Sequence, residues 1–177
     1  MNPEGPRPHA RVHVRRVRGD DWQQLRALRL EALADAPSAF LELHSDAAGR
    51  DEGSWRRRAE GFSAGEDSAM FIAAEANGEW IGMLGVYRDA PGEAQVVSVY
   101  VAPRARGQGV LDELLEQAEG WAFSVGLHRL RLLVHEDNVR ARAAYERLAF
   151  TPTGRAFPYP LDETRVEHEL DKRLPPR

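Results

Sequence analysis

Residues 101–115 read VAPRARGQGVLDELL. A β-rich run ends at Pro103, Arg104 and Arg106 follow, Gly107 and Gly109 stand one residue apart, and a helical pattern begins. One glycine is enough for a turn. Two, at the mouth of a helix, leave backbone N–H groups uncovered at the positive end of the helix dipole, which is a place for an anion. Alone, GxG also suits a plain strand-to-helix turn. A dinucleotide-binding fingerprint wants a third glycine at position 112, where Asp112 stands, so that reading falls away.

Working outward, EAQVVSVYVA (93–102) reads as a strand, and its nearly continuous apolar character predicts burial on both faces. Downstream, Leu111, Leu114, Leu115, Ala118, Ala122 and Val125 recur at helical spacing over 110–125, and Gly126 ends the helix. RLRLLVH (129–135) is a further strand. Asn138 is placed to cap the next helix, whose inner face carries Ala141, Ala144, Tyr145 and Leu148. FTPTGRAF and TRVEHELDKRL close the chain as two strands.

Upstream, residues 1–10 hold three prolines and read as a disordered tail, and VHVRRV (12–17) as a strand. A helix then carries Trp22, Leu25, Leu28 and Ala32 and stops before Pro37. PSAFLELHSDAAGRDEGSW, a long connection or broken helix rich in acids and small residues, leads to a short helix over about 51–59. AMFIAAEA and EWIGMLGVYRD flank Asn77-Gly78, a dipeptide suited to a two-residue type I′ hairpin. The order is that of one mixed α/β (α+β) domain over 11–174, with helices on both faces of the sheet.

Composition narrows the function. A net charge of −4 argues against general nucleic-acid binding. Lys172 is the only lysine, so the phosphate-binding lysines of P-loop and kinase folds are absent. No cysteine is present, which excludes disulfides, thiolate metal sites and a thioester-forming nucleophile. No uncharged run reaches the roughly 18–20 residues a bilayer requires, and the N-terminus has no apolar segment, so the expected location is cytoplasmic with no membrane partner. His9 and His13 straddle a tail and a strand, and no metal is expected.

The two motifs together, VSVYVAPRARGQGV and about thirty residues later NVRARAAYERLAF, resemble the GNAT superfamily of acyl-CoA-dependent N-acetyltransferases. The resemblance covers roughly residues 11–172. It implies a mostly antiparallel mixed sheet of about seven strands flanked by about four helices, with acetyl-CoA as co-substrate. By the resemblance, the Arg106, Gly107, Gln108, Gly109, Val110 and Leu111 stretch holds the pyrophosphate. Splayed backbone at Val99 and Val101 pairs with pantetheine amides, Asn138 contacts the pantetheine arm, and Tyr145 contacts the cofactor and protonates the leaving thiolate. Seven residues separate Asn138 from Tyr145, two helical turns, which sets both on one face. The early Pro37-Ser38-Ala39-Phe40 segment is also similar to that of family members.

Three residues depart from the family pattern. Leu111 stands where a second small residue is usual, Asp112 puts like charge near a diphosphate, and Ala149 replaces a helix-ending glycine in a left-handed position. The general base stays open between Glu93, His135, Glu136 and a backbone-held water, with Glu93 taken as the catalytic candidate beside Tyr145. Glu42, Asp46, Asp51 and Glu52 lie where the family walls its acceptor site, either attracting a cationic amine or forming a solvated acidic loop. The expected activity is acetyl transfer to a primary amine of a small molecule by direct attack in a ternary complex. Acetylation of a protein N-terminus or lysine, and a non-catalytic acyl-CoA-binding or partner-binding module, are the alternatives, and a homodimer is left open.

Overall fold

A computed structural model of the chain describes residues 12–175; the expected tail over 1–10, with His9, lies outside them. The chain runs β1 (His13–Arg16), α1 (Trp22–Asp35), α2 (His44–Ala48), α3 (Glu52–Ser63), β2 (Ser68–Ala74), β3 (Trp80–Ala90), β4 (Glu93–Val101), α4 (Val110–Ser124), β5 (Arg129–His135), α5 (Val139–Arg147), β6 (Thr151–Tyr159) and β7 (Asp162–Arg173). The strands form a single seven-stranded sheet in the order β1-β2-β3-β4-β5-β7-β6. Every neighbouring pair is antiparallel except β4 and β5. That parallel pair needs a crossover, and α4 supplies it.

Helices cover both faces of the sheet. Gly82 of β3 lets α4 lie close, since a Cβ there would come within 3.1 Å of Val110 Cγ1 and Leu114 Cδ1. On the other face, Tyr100 of β4 donates from its hydroxyl to Glu31 of α1 at 3.1 Å. Leu114, Leu115, Ala118 and Ala122 of α4 are buried as their spacing predicts, together with Val110 and Trp121; Leu111 is half-buried. In α1 the buried stripe of Leu25, Leu28 and Ala32 is joined by Leu33 and by a charged residue, Arg29.

Two local expectations are corrected. The β2–β3 connection is not a two-residue type I′ turn: Glu75 N donates to Glu79 O at 2.9 Å to close it, and Gly78 N donates to Glu75 O at 2.9 Å. Of the dipeptide only Gly78, at φ +85°, takes positive φ. This is a three-residue loop, a type I turn followed by a left-handed glycine, in which Asn77 Oδ1 accepts from Glu79 N at 2.9 Å. Nor is β4 buried on both faces. Ala94, Val96 and Tyr100 are buried while residues 97–99 are half-buried, because those residues border a cleft.

The end of α5 behaves as its sequence predicts. Ala149 adopts φ +68°, and Phe150 N closes the helix by donating to Tyr145 O at 3.0 Å. Its side chain is exposed, so the methyl contributes no core packing in return. Ala149→Gly is expected to raise stability by about 1 kcal/mol, read as a higher midpoint in urea with unchanged slope, because it removes the left-handed penalty of an L-residue.

Candidate active site

β4 and β5 pair over three rungs only, Glu93↔Arg129, Ala94↔Leu130 and Gln95↔Arg131, and then part. β4 bulges at the point of parting: its register on β3 shifts between Met83 and Gly85, and Ser98 takes φ +54°. A serine in that conformation needs a constraint. Arg29 of α1 provides one, donating from Nη1 to Ser98 Oγ at 3.2 Å while Nε and Nη2 donate to Glu42 Oε2 at 3.0 and 2.9 Å. Between the parted strands opens a cleft of about 850 Å³.

At one end lies the loop from Arg104 to Val110. Gly107 and Gly109 take φ +75° and +81°, and a Cβ on either would meet nothing within 4 Å. The first intrahelical bond, Glu113 N to Gly109 O at 3.2 Å, leaves the preceding N–H groups of α4 without helical partners. The two arginines have structural duties. Arg106 donates from Nε to Val101 O at 2.9 Å and pairs with Asp35 of α1, while Arg104 pairs with Glu79 in the β2–β3 loop and with Glu31 at 3.7 Å. Gln108 Nε2 donates to Arg104 O at 2.8 Å. The guanidiniums therefore brace the loop, and its bare amides are what it offers to an anion.

Val99, Val101, Val110 and Leu111 all border the cleft, Leu111 also packing against the core. Asp112 is clasped by Arg147 of α5 at 2.8 and 2.9 Å, and that guanidinium holds its carboxyl below the ordinary range. Arg140, which the sequence reading passed over, borders the cleft and makes no ion pair among the described residues. Neither its type nor its spacing distinguishes it from its arginine neighbours.

Asn138 caps α5, its Oδ1 accepting from Ala141 N at 3.3 Å, and borders the cleft beside Tyr145. Tyr145 is buried, stacks edge-on against Phe150 with centroids 5.8 Å apart, and makes no hydrogen bond from its hydroxyl among the described residues. Burial pushes its phenol well above the ordinary range, so it holds its proton at neutral pH.

The base candidates separate sharply. Glu93 is not at the cleft: it sits at the closed, paired end of β4, held by Arg131 at 3.0 Å and Arg129 at 3.7 Å, about 16 Å along the strand from the bulge. Glu136 accepts from Val166 N at 3.2 Å and pairs with Arg165 at 3.1 Å. His135 is buried at the cleft, and its Nδ1 accepts from Asp137 N at 3.2 Å. The acids of the connection are largely engaged: Glu42 by Arg29 and Arg50, Asp51 as the cap of α3 accepting from Ser54 N at 2.6 Å, and Glu52 by Arg56. The structure adds Glu167 of β7, buried and bordering the cleft, which one strand's alternation could not assign. Its significance rests on its pairing with His135 across two strands that are distant in sequence.

Residues 26–150 match the Acetyltransferase (GNAT) family. Among solved structures, the chain is similar to nourseothricin acetyltransferase at 27% identity, with a TM-score of 0.58 over 62% of this chain and 66% of that one. A GNAT-family acetyltransferase from Streptococcus pneumoniae shares the fold at 19% identity, with a TM-score of 0.77 over 93% of this chain and 100% of that one. The spermidine/spermine N-acetyltransferase from Vibrio cholerae does so at 15% identity, with a TM-score of 0.69 over 92% and 93%. With the family match running from α1 through the Gly107–Gly109 loop to the end of α5, the chain belongs to the GNAT family of N-acetyltransferases.

Proposed function

We propose that this acetyltransferase moves an acetyl group from acetyl-CoA to a primary amine of a small molecule by direct attack in a ternary complex. The observation that carries the reading is the single cleft between β4 and β5, which joins the bare amides of Gly107–Val110 to the buried phenol of Tyr145. The open space over Gly107 and Gly109 suits the close approach of a diphosphate to backbone. Arg140 and Arg147, which also border the cleft, add positive charge to it. Asn138 and the backbone at Val99 and Val101 flank the path of the pantetheine arm.

When bound, acetyl-CoA brings a thioester carbonyl, and the protein's task is to place a neutral amine against it and a proton beside its sulfur. Tyr145 fits the second role, a phenol held protonated by burial and uncommitted to any acceptor among the described residues. The absence of cysteine fits direct transfer. Two solved structures with this fold are named for small-molecule amines, nourseothricin and spermidine/spermine. Tyr159 donates from its hydroxyl to Phe40 O at 2.9 Å, bridging β6 to the α1–α2 connection, a closure that favours a pocket over an open peptide groove.

Tyr145→Phe keeps the ring on Phe150 and deletes the proton. The expected result is an unchanged Kd for acetyl-CoA and a roughly 100- to 10,000-fold loss in kcat, measured as thiol release with chemistry rate-limiting. Retention of near-normal kcat would leave Tyr145 a packing residue. At the other end, Asp112→Asn removes a like charge from the diphosphate site and frees Arg147 to face it. CoA is expected to bind about two- to fivefold more tightly at low salt, by calorimetry. An unchanged affinity would place the diphosphate away from the start of α4.

A further inference from the structure

Side-chain alternation followed through the strand register puts Met83, Gly85 and Tyr87 of β3, Gln95 of β4, Arg131 and His135 of β5, and Glu167 of β7 on the face of the sheet that α1 covers. Tyr145 lies on the opposite side. Its helix is tied to α4 through Arg147 and Asp112, and its partner Phe150 lies 5.9 Å from the Nζ of Lys172, which pairs with Glu119 of α4. The cleft therefore has two ends on two faces of the sheet. The diphosphate loop and Tyr145 occupy one; Phe40, Tyr159, His135 and Glu167 gather at the other.

Two carboxylates on β7 are buried on this second face, and they are treated differently. Glu169, 6% exposed, accepts from Thr153 Oγ1 at 2.9 Å and lies between Arg155 at 3.5 Å and Arg131 at 3.7 Å. Glu167, 7% exposed, makes no hydrogen bond or ion pair from its carboxylate among the described residues, although it borders the cleft. Folding does not leave a carboxylate buried without a cation cheaply, and such a group facing a cavity marks a functional site. The cation that α1 brings to the cleft, Arg29, is already engaged by Glu42 and Ser98. What Glu167 lacks is a positive charge that arrives from solution.

Resting on the acetyltransferase reading, we infer that Glu167 receives the ammonium of the acceptor and is the base that deprotonates it. One N–H bond of the ammonium breaks and an O–H bond forms on Glu167. The freed nitrogen lone pair forms the C–N bond to the thioester carbonyl carbon as the C–S bond breaks. The sulfur keeps that bond's electrons and takes the proton of Tyr145, and a second nitrogen proton restores the phenol through solvent. Glu167 then releases its proton to solvent, so ammonium and thioester become amide, thiol and one proton.

The groups facing Glu167 shape its titration. Burial pushes its carboxyl above the usual range, and His135 on β5 opposes that shift. From β6 the Tyr159 phenol faces it and is itself raised, mainly by burial and partly by Glu167. Glu169 lies two residues along β7 among its arginines, Phe157 of β6 is its register partner, and Asp137 beyond β5 is paired with Arg165. A carboxyl raised in the folded state contributes stability only at low pH, and that contribution is lost as pH rises through the folded value.

The test is Glu167→Gln, assayed by thiol release with spermidine and phenethylamine as alkylamine probes and with hydroxylamine, which is already neutral at assay pH. The expected variant binds acetyl-CoA with unchanged Kd, loses about 100-fold or more in kcat with the alkylamines, and keeps its turnover with hydroxylamine. It also melts at a higher temperature than wild type at mildly alkaline pH, the difference closing below the ordinary carboxylate range. The carboxyl 13C resonance that disappears in the variant is expected to titrate above the usual glutamate range in the wild type. Alkylamine turnover at about half the wild-type rate or more, or a Glu167 resonance titrating in the ordinary range, overturns the assignment. A wild-type protein that binds acetyl-CoA but turns over none of the three nucleophiles overturns the acetyltransferase reading instead, and the carboxyl titration and melting difference then decide whether Glu167 is a poised base.

Discussion

The cleft exists because a parallel strand pair is interrupted. Three rungs hold β4 to β5, and beyond Gln95 and Arg131 the backbone of β4 is turned aside at Ser98, in a conformation that an L-residue adopts only under constraint. The constraint comes from the first helix. Arg29 is 6% exposed, lies over the Phe40 ring at 4.5 Å, and divides its donors between Ser98 and Glu42. Around the same acid sit Arg50, at 2.5 Å from Glu42 Oε1, and Arg58, pushed down to about 10 chiefly by burial and then by its arginine neighbours. An ion pair this buried contributes little net stability, since desolvation offsets most of its attraction. Its consequence here is geometric: it fixes where β4 bends, and with it where two strands part.

Most charges bordering the cleft are engaged by protein partners. Arg106 braces the loop to α1, Asp112 and Arg147 join α4 to α5, and Arg131 links Glu93, Asp89 and Glu169 at the closed end. Two bordering groups stand apart, Arg140 and Glu167, neither of which makes an ion pair among the described residues. Under the proposed function their signs oppose those of the groups that would arrive, an anion and an ammonium, so each substrate would complete a charge left without a partner among the described residues.

The parts of this arrangement that were legible in the sequence are those written within one element. The two glycines before α4, the Asn138 cap, the spacing of Tyr145 and the left-handed Ala149 each depend on a few consecutive residues, and the structure places each as its pattern implies. The parts that were not legible depend on pairing between distant elements. Glu93 looked like a base because it begins an apolar strand, yet register sets it opposite Arg129 at the closed end. Ser98 carried no signal, as a bulge is specified by its partner strand and by Arg29. The Asn77-Gly78 turn misled for a related reason: the dipeptide permits two loop lengths, and the pairing of Glu75 with Glu79 selects the longer.

The sheet also accounts for the proposed acid and base coming from different elements. In a fully paired sheet, side chains on the two faces are separated by a continuous layer of backbone, and no small molecule touches both. A reaction that needs a proton delivered to sulfur and another removed from nitrogen, at opposite sides of one carbonyl, needs an opening in that layer. Antiparallel neighbours joined by short hairpins, such as β3 and β4 across Pro91-Gly92, are tied at the turn and paired along most of their length. A parallel pair is joined by a helix instead, so its strands are free to diverge at their C-terminal ends, where the crossover leaves β4 and α5 follows β5. The opening therefore falls beside the start of α4, with its bare amides, and beside α5, with Tyr145. The register of β5 on β7 then brings Glu167 to the far side of the same opening.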